Sequence, residues 1–449
     1  MFGVRLGGRK RVIILGAGGR DYHNFNTCFR GNPDYEVVAF AVTQIPGIER
    51  RRYPPELAGG LYPDGIPVLP IQELGRVIRE LHVDEVVLSF SDITYDTLGR
   101  IASEVLAAGA SFRLLSPRET MLTSFRPVIA VTAVRTGAGK STVSRAIARE
   151  LRSRGLEVAI VRHPMAYGDL GRMAVQVFRG VEDLDRWGVT IEEREEYEHY
   201  LSMGLTVFAG VDYGRVLREA ERAGDVVLWD GGNNDFPFFR FNYMVTVADA
   251  MRPGQEVGSY PGEVNVRLAN AVVVNKVSQA GSERVERVVR NVRAVNPKAD
   301  VVLADMEVVV DRPEVIEGRR VVVIEDSPSV THGGLPYGAG YVAARKYGAA
   351  EIVDPRPYAV GVIRRLYEEY PHMANVVPST GYTKEQLRDL EETLMRVDAD
   401  VIVNGSPADI GRLIRVNKPY VRVRWELRVV EGPSIKELVD RFIEESRFR

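Results

Sequence analysis

The chain has 449 residues, of which 45% are apolar and 27% are charged, enough for two or three domains with sizeable cores. Its formal net charge of -2 gives no overall basic field, so we expect no nucleic-acid partner. No run approaches the ~18 consecutive apolar residues of a membrane span, so we expect no membrane partner either. Cys28 is the single cysteine, which excludes an internal disulfide framework and predicts a cytoplasmic protein.

The first quarter of the chain alternates apolar runs with amphipathic helical patterns. The runs RVIILG, YEVVAFAV, DEVVLSFSD and SFRLLS are strand candidates, and IQELGRVIRELH is a helix candidate between them. Continuous apolar runs are typical of strands that a parallel sheet buries on both faces. We therefore predict a Rossmann-like N-terminal domain over residues 1–124, followed by a join at Pro127.

The first strand candidate leads into the glycine-rich turn GAGGRDYHN. This turn begins like the dinucleotide fingerprint, but Asp21 stands where the third glycine belongs, and no acidic residue ends the second strand. We therefore do not expect NAD binding. Gly16, Gly18, Arg20 and His23 suit either a second anion site or a packing surface against the next domain.

The alternation of strands and helices continues to the end of the chain. It predicts an α/β fold class, in which the Rossmann-like domain is followed by a larger, doubly wound P-loop NTPase domain over residues 125–340. Residues 341–449 are predicted to form a C-terminal α/β extension packed on that core. In such folds, ligands bind at the carboxyl ends of the strands.

The stretch VIAVTAVRTGAGKST has the strand–loop–helix context of a Walker A phosphate-binding loop. Val134 stands where the general pattern has its first glycine, as in related loops of the form T-G-x-G-K-[ST]. Lys140 can reach the β- and γ-phosphate oxygens of ATP, and Ser141 can ligate Mg²⁺. The predicted nucleotide-binding residues of the loop are Thr136, Gly137, Ala138, Gly139, Lys140, Ser141 and Thr142.

A second motif, VVLWDGGNNDF, follows about two strands later. Asp230 ends its apolar run and is the second predicted metal residue, holding Mg²⁺ directly or through water. Asn233, Asn234 and Asp235 follow and are predicted to bind the substrate, although a helix cap and a turn would also use these residue types.

Four cationic or imidazole side chains complete the predicted site. Arg162 and His163 follow one strand candidate, Arg252 follows another, and Arg179 lies in a long polar insertion; we predict that all four bind the anionic substrate. An exposed ion pair is the alternative for each arginine. The predicted catalytic residues are Lys140, Asp230, Arg162 and Arg252.

The stretch AVVVNKVS is similar to the base-recognition motif of GTPases. Asn275 and Lys276 could frame a base and are predicted to bind the nucleotide. The position of the guanine-reading aspartate is Ser278, which favours adenine over guanine.

Several stretches together resemble the cyclic 2,3-diphosphoglycerate synthetase family of archaea. They are spread over nearly the whole chain and include GAGGRDYHNFN, VRTGAGKST, EEREEYE, DGGNNDFPF and ADAMRPG. The resemblance implies a P-loop enzyme that joins the two phosphates of 2,3-diphosphoglycerate into a cyclic anhydride while ATP becomes ADP and phosphate. In the implied route, one substrate phosphate attacks the γ-phosphoryl group in line, and the mixed anhydride closes on the neighbouring phosphate. We expect a homo-oligomer, a dimer.

Two other functions remain open. A small-molecule kinase without cyclisation would share every phosphate motif. A GTPase of the metallochaperone type would need a guanine-reading aspartate and a Cys/His metal cluster, and Ser278 and the single cysteine argue against both.

Overall fold

The chain forms two compact α/β units. The structure, a computed structural model, describes residues 8–16, 18–42, 51–164, 168–331, 334–380, 383–415 and 417–447. One unit comprises Met1–Asp183, Gly204–Asp305 and Val429–Arg449, and the other comprises Leu184–Met203 and Met306–Arg428. Both contain parallel strands joined by helices, which confirms the predicted α/β class. The domain boundaries expected at residues 124 and 340 stay a prediction.

The first sheet is formed by the N-terminal part of the larger unit. The strands in this part are β1 Lys10–Leu15, β2 Tyr35–Val42, β3 Arg52–Tyr53, β4 Ile66–Pro70, β5 Glu85–Leu88, β6 Ile93–Thr94 and β7 Ser111–Leu114. The helices are α1 Arg20–Asn24, α2 Pro55–Ala58, α3 Leu74–Glu80, α4 Tyr95–Ala108 and α5 Pro117–Thr120, with a π-helical turn at Phe25–Phe29 and a 3-10 turn at Ile71–Glu73. The sheet order is β3-β4-β2-β1-β5-β7, and only β3 is antiparallel to its neighbour.

The winding of this sheet reverses at β1. The chain passes from β1 to β2 and β4 on one side, then returns to β5 and β7 on the other. β1 is buried because its run Val12–Leu15 is apolar on both faces. Doubly wound sheets bind ligands outside the carboxyl ends of the strands where the winding reverses. In this sheet that crevice lies beyond Leu15 and Leu88.

The second sheet of the same unit contains the predicted phosphate-binding loop. The strands of this part are β8 Val128–Ala133, β9 Val158–Arg162, β10 Gln176–Phe178, β11 Thr206–Ala209, β12 Val226–Asp230, β13 Tyr243–Asp249, β14 Ser259–Tyr260, β15 Ala271–Asn275 and β16 Asp300–Val310. The helices are α6 Lys140–Ser153, α7 Val181–Trp187, α8 Ile191–Ser202, α9 Tyr213–Ala223, α10 Gln255–Gly258, α11 Gly262–Leu268, α12 Val277–Ala280 and α13 Ser282–Val295, with a 3-10 turn at Arg172–Ala174. The unit boundaries fall within α7 and β16, and α8 belongs to the smaller unit.

The order of the second sheet is β10-β11-β9-β12-β8-β13-β15-β16. All neighbours are parallel except β10, which is antiparallel to β11. β8 is buried along its whole length and lies between β12 and β13. The carboxyl ends of β12, β8 and β13 therefore lie side by side at one edge of the sheet.

The strands of the smaller unit are also paired in parallel. Its remaining strands are β17 Arg320–Glu325, β18 Glu351–Ile352, β19 Val377–Pro378, β20 Val401–Asn404 and β21 Tyr420–Glu431, of which β21 ends in the larger unit. The order is β21-β20-β17-β18, and β19 also pairs with β17. The helices that follow along the chain are α14 Ser327–Val330, α15 Ala339–Lys346, α16 Gly361–Glu369, α17 Lys384–Arg396 and α18 Ile410–Leu413, with 3-10 turns at Pro313–Val315 and Arg356–Tyr358. The terminal helix, α19 Ile435–Arg447, belongs to the larger unit.

Glu325, at the end of β17, makes the stability of the protein depend on pH. Burial raises the pKa of its carboxyl from 4.5 to about 7, although N–H groups of Tyr341 and Gly340 donate to it and lower the pKa in part. The folded chain therefore binds this proton more tightly than the unfolded chain does. The resulting stabilisation is fully present below pH 4.5 and is lost as the pH rises through about 7.

Glu325→Gln is expected to remove this dependence. Between pH 5 and 7, the unfolding free energy of the parent chain should fall by roughly 1.4 kcal/mol per pH unit relative to the variant. Urea denaturation of both proteins across this pH range measures the difference. Parallel pH profiles would show that Glu325 does not titrate in this window.

None of the helices in the described ranges is long and apolar enough to cross a membrane.

Candidate functional site

The predicted phosphate-binding loop leaves β8 and turns into α6. Gly137 and Gly139 adopt φ angles of +81° and +106°, the left-handed region that side chains other than glycine rarely occupy. Gly139 is the N-cap residue of α6, so Lys140 and Ser141 begin the helix with their amides at its positive end. In the part of the chain that the structure describes, the Ser141 hydroxyl makes no hydrogen bond to another side chain.

Asp230 is a buried carboxylate that forms ion pairs with two of the three predicted catalytic cations. It ends β12 beside the loop strand and is 0% exposed. Nζ of Lys140 lies 2.5 Å from Oδ1, and Nη1 of Arg162 lies 2.5 Å from Oδ2. Arg162 ends β9 and is the direct register partner of Asp230. Ser144, one turn into α6, also donates to Oδ1 at 2.9 Å.

Asp249 organises the other side of the loop. It ends β13, is 1% exposed, and pairs with both Arg252 and Lys276 at 2.8 and 2.7 Å. Each cation also donates to a carbonyl of the loop: Arg252 to Thr136 at 2.9 Å and Lys276 to Gly137 at 2.8 Å. The two predicted ligand-binding cations therefore brace the loop in this structure.

Asp249→Asn is expected to raise the KM for ATP about tenfold, because a charge-assisted hydrogen bond contributes ~1.5–3 kcal/mol and two cations lose their anchor. Steady-state kinetics with ATP varied measures the effect. Asp225→Asn is the matched control, since Asp225 is exposed just before β12 and its substitution should leave the KM unchanged. Equal KM values for both variants would contradict the bracing role of Asp249.

Asn275 and Ser278 stand where GTPases recognise the base. Nδ2 of Asn275 donates to the carbonyl of Ala138 at 2.9 Å, so this side chain also supports the loop. The backbone N–H and the hydroxyl of Ser278 both donate to Asp305, a buried carboxylate on β16. The expected preference for adenine stays a prediction.

The turn after β12 is fixed by hydrogen bonds to the loop. Nδ2 of Asn234, a 0% exposed residue, donates to the carbonyl of Val134 at 2.7 Å. Thr136 donates to Oδ1 of Asn233 at 3.3 Å. Asp235 instead pairs with Arg20 of the N-terminal turn, whose Nε lies 3.0 Å from its Oδ1.

The N-terminal sheet thus contributes to the same site. Arg135 pairs with Asp92, which follows β5, and the N–H of Thr136 donates to Asp92 at 3.3 Å. The imidazole of His163 lies against Gly19 so closely that a Cβ there would overlap the ring. β6 and β14 form an antiparallel pair beside these contacts.

In the described part of the glycine-rich N-terminal turn, a carboxylate of the turn itself occupies the amides of both Gly18 and Gly19. The carboxylate of Asp21 accepts from the N–H groups of Gly18, Gly19 and Tyr22 at 2.7 to 3.3 Å. Burial raises the pKa of Asp21, and the three amides lower it in part. A Cβ on Gly16 would lie 2.5 Å from this carboxylate. The N–H groups of Gly18 and Gly19 are therefore not available to a pyrophosphate, as they would be in a dinucleotide-binding turn.

His23 forms a packing contact, the alternative expected from the sequence. Its ring stacks on Phe238 with centroids 4.1 Å apart, and its Nε2 lies 2.7 Å from the carbonyl oxygen of Thr120. Burial, together with the charge of Arg20, lowers the pKa of His23 to about 3. The ring is therefore neutral near pH 7 and adds no charge for an anion.

Arg179 is not brought to this edge of the sheet. β10 is antiparallel to β11, with Phe178 opposite Val207 near the start of β11. β11 runs parallel to β9, which ends at Arg162. The chain therefore leaves β10 at the opposite, amino edge, where Arg179 is exposed. The predicted role of Arg179 in substrate binding is corrected accordingly, because the strand direction points it away from the loop.

The donor set fits a nucleotide with Mg²⁺ better than a metal held by protein alone. Within the described ranges, no group of three or more His, Cys, Asp or Glu side chains could hold a metal ion. Mg²⁺ commonly takes one or two protein oxygens and completes its shell with phosphate and water. Ser141 and Asp230 suit that arrangement, since Ser141 follows Lys140 in α6 and Asp230 pairs with the ammonium of Lys140.

Sequence reasoning missed Ser144, Asp249 and Asp92. Ser144 lies one helical turn beyond Lys140, a spacing that could have drawn attention to it. Asp249 ends an apolar run just as Asp230 does, and that shared pattern was the available signal. Asp92 has no such signal, because its role depends on how the two sheets meet.

Comparison with known proteins then assigns the family. No protein-family model matches the chain. A protein named Arginine synthetase ArcE, from Thermococcus kodakarensis, is 52% identical over 432 residues, which cover 96% of this chain and 96% of that protein. The chain belongs to the arginine synthetase ArcE family. This member of the arginine synthetase family is an enzyme of the ATP-dependent ligase and synthetase class.

Cyclic 2,3-diphosphoglycerate synthetases are more distant relatives of this arginine synthetase family member. The one from Methanothermobacter thermautotrophicus is 25% identical over 337 residues, covering 67% of this chain and 70% of that protein. The one from Thermococcus sibiricus is 22% identical over 289 residues, covering 58% and 64%. The resemblance expected from the sequence is therefore confirmed as a distant relationship.

Among solved structures, LpxK from Aquifex aeolicus in complex with ATP aligns with a TM-score of 0.44 and 12% identity, covering 78% of this chain and 96% of that chain.

Proposed function

We propose that this chain forms arginine in an ATP-dependent reaction. The name of the relative from Thermococcus kodakarensis suggests the product, and the P-loop with Lys140 and Asp230 supplies a site for the nucleotide. Arginine differs from its ureido analogue, citrulline, only in carrying a terminal nitrogen where citrulline carries oxygen. A synthetase that uses ATP to replace that oxygen with ammonia would produce arginine.

The observation that carries this proposal is the 52% identity, over 96% of both chains, to the protein named Arginine synthetase ArcE. The site fits an anionic nucleotide, because six cations at this edge share four carboxylates. The pairs are Arg20–Asp235, Arg135–Asp92, Lys140–Asp230, Arg162–Asp230, Arg252–Asp249 and Lys276–Asp249. Asp230 and Asp249 each pair with two cations, so positive charge is left to face the phosphates of ATP.

In the proposed reaction, phosphorylation by ATP converts the ureido oxygen of citrulline into a leaving group. The ureido oxygen of citrulline attacks the γ-phosphorus of ATP, the bond to the β-phosphate oxygen breaks, and ADP leaves. Ammonia then adds to the ureido carbon, and the C–O bond breaks so that phosphate leaves with the former ureido oxygen. From ammonium, the reaction yields arginine, ADP, phosphate and one proton. The cyclisation of 2,3-diphosphoglycerate shares the first step, with a phosphate in place of the ureido oxygen.

The residues of the loop act by positioning and charge. The amides of residues 137–141 and the ammonium of Lys140 would hold the β- and γ-phosphates, and Arg162 would face the transferred group from β9. Ser141 and Asp230 would hold Mg²⁺, which neutralises phosphate charge when bound. Asp249, Arg252, Lys276 and Asn275 would keep the loop in shape.

A paired substrate assay tests the proposal. The purified protein is incubated with ATP and Mg²⁺, either with citrulline and ammonium or with 2,3-diphosphoglycerate, and products are followed by chromatography and phosphorus NMR. We expect arginine, ADP and phosphate in the first mixture only. A cyclic product in the second mixture, with no arginine in the first, would overturn the proposal.

Cyclisation of 2,3-diphosphoglycerate is the second candidate, because two named synthetases of that compound match 58% and 67% of this chain. The same assay decides between the two. A linear phosphorylated product in either mixture would instead support the kinase alternative. The homodimer expected from the sequence remains a proposal, which light scattering in solution tests.

A further inference from the structure

The stretch that follows β15 is fixed against the phosphate-binding loop by two hydrogen bonds. Nδ2 of Asn275 donates to the carbonyl of Ala138 at 2.9 Å, and Nζ of Lys276 donates to the carbonyl of Gly137 at 2.8 Å. Lys276 adopts a left-handed φ of +63°, which turns the chain from β15 into α12. Ser278 therefore lies in the first turn of α12, two residues beyond a contact with the loop.

The strand order indicates which end of a bound nucleotide faces this stretch. In the order β9-β12-β8-β13-β15-β16, the loop follows β8, and the strands that end in Asp230 and Arg162 lie on one side of it. A γ-phosphate that meets Lys140 and Arg162 would point to that side. Because the nucleoside is at the opposite end of the phosphate chain, the base would extend toward the carboxyl ends of β15 and β16.

A carboxylate reaches the same place from the neighbouring strand. β16 is parallel to β15, with Leu303 opposite Val274, so Asp305 lies at the carboxyl edge just beyond the level of Asn275. The N–H of Ser278 donates to Oδ1 of Asp305 at 2.9 Å, and the Ser278 hydroxyl donates to Oδ2. The base-recognition motif of GTPases has its aspartate at the position of Ser278. In this chain a serine occupies that position, and the aspartate beside it comes from β16.

The hydrogen bond to Asp305 fixes the polarity of the Ser278 hydroxyl. A hydroxyl has one proton, and Asp305 accepts it, so Oγ of Ser278 can only accept a hydrogen bond from a ligand. The negative charge of Asp305 strengthens this acceptor. Asp305 itself is only 6% exposed, whereas Ser278 is an exposed residue that a ligand can reach.

We propose that Ser278, positioned by Asp305, reads the base of the nucleotide as adenine by accepting a hydrogen bond from its 6-amino group. Guanine carries a carbonyl oxygen at this position, so two acceptors would face each other. The base lies along the aliphatic stem of Lys276, whose ammonium is held by Asp249 and by the loop. The inference rests on the nucleotide site of the proposed function, and it names the residues that select ATP.

Calorimetric titration with three nucleoside diphosphates in the presence of Mg²⁺ tests this assignment. The probes are ADP, GDP and purine riboside diphosphate, which carries hydrogen in place of the 6-amino group. The parent protein is expected to bind ADP about fivefold more tightly than purine riboside diphosphate, because the analogue lacks one hydrogen bond. GDP should bind more weakly still, because its 6-oxygen repels Oγ of Ser278. Tighter binding of GDP than of ADP would overturn the assignment.

Single variants give a readout that a purely structural role would not produce. Ser278→Ala is expected to weaken the binding of ADP about fivefold and to leave that of purine riboside diphosphate unchanged. Asp305→Ala should narrow the difference between ADP and GDP, because the released hydroxyl of Ser278 can then donate to the guanine oxygen. In the Ser278→Ala background it should not change this difference. Ser282→Ala, at an exposed position where α13 begins, is the matched control and should leave all three affinities unchanged.

Exchanging the two residues should change the preferred base. In the double variant Ser278→Asp with Asp305→Ser, a carboxylate occupies the exposed position and a hydroxyl on β16 can donate to it. Guanine offers two adjacent donors, at N1 and at its 2-amino group, to such a carboxylate. We therefore expect the ratio of affinities to shift toward GDP by about tenfold or more. A double variant that keeps the preference of the parent protein for ADP would overturn the assignment.

The outcomes separate this inference from the proposed function. If the protein makes arginine but Ser278→Ala weakens the binding of all three nucleotides equally, the base assignment is wrong while the function stands. If the base assignment holds but no arginine forms, the proposed function fails and the nucleotide site stands. If the parent protein binds none of the three nucleotides, both fail.

Discussion

Lys140→Ala is expected to lower the rate of ATP turnover by roughly 10³-fold, as the loss of a charged group that stabilises the transferred phosphoryl commonly does. The ammonium of Lys140 lies 2.5 Å from Asp230 at the start of α6, where it can reach the β- and γ-phosphates of ATP held by the loop. Asp230 keeps Arg162 as a partner in this variant, so the fold should be retained. Release of ADP, followed in a coupled assay, measures the effect.

Lys298→Ala provides the control for this experiment. Lys298 is exposed just before β16, at the amino edge of the same sheet, and its loss should leave turnover within about twofold of the parent. If Lys140→Ala turned over ATP as fast as Lys298→Ala does, this loop would not be the site of phosphoryl transfer.

Asp230→Asn is expected to destabilise the protein by about 3–5 kcal/mol, the usual cost of breaking a buried ion pair by removing one partner. Lys140 and Arg162 converge on this carboxylate, and the side chain of Arg162 is only 1% exposed. With a neutral amide in place of the carboxylate, two cations would face each other in a largely buried site. Urea denaturation measures the loss, and ATP turnover should fall as well.

A second substitution tests whether repulsion between Lys140 and Arg162 causes the loss of stability in Asp230→Asn. Adding Lys140→Met to Asp230→Asn removes one of the two cations and should restore part of the lost stability, giving a favourable coupling in a double-mutant cycle. Asp440→Asn is the control, because Asp440 pairs with Arg154 with 47% of its side chain exposed and should cost about 1 kcal/mol or less. Equal costs for Asp230→Asn and Asp440→Asn would contradict the electrostatic role assigned to Asp230.

The residues around the phosphate-binding loop could be predicted from the sequence because each motif that contains them is a short, continuous stretch of the chain. Apolar runs identified β8 and β12 as buried strands, and the motif residues follow directly where each strand ends. The approach of Lys140 to Asp230 then follows from two adjacent parallel strands whose carboxyl ends meet at one edge.

The remaining contacts depend on strand order and direction, which the sequence does not specify. Asp249 reaches Arg252 and Lys276 because β13 lies between β8 and β15. Arg179 follows an apolar run as Arg162 does, but β10 is antiparallel, so Arg179 emerges at the other edge.

The contacts of the N-terminal turn likewise depend on the fold and could not be predicted from the sequence. Its sequence shows only that Asp21 replaces a glycine of the dinucleotide fingerprint, and a second anion site remained open. In the structure, the Asp21 carboxylate accepts hydrogen bonds from the N–H groups of Gly18 and Gly19, so these amides are not available to an anion. The partners of Arg20 and Asp92 lie in a different sheet, more than 40 residues away along the chain, and no local pattern marks such pairs.

Isotope transfer tests the proposed reaction most directly. Citrulline labelled with ¹⁸O in its ureido group is incubated with ATP, Mg²⁺, ammonium and the purified protein, and the phosphate released is examined by phosphorus NMR and mass spectrometry. We predict that arginine forms and that each phosphate carries one ¹⁸O atom, because the ureido oxygen leaves with the γ-phosphoryl group. Arginine formed without label in the phosphate, or no arginine at all in a protein that hydrolyses ATP, would contradict phosphoryl activation of the ureido oxygen at this site.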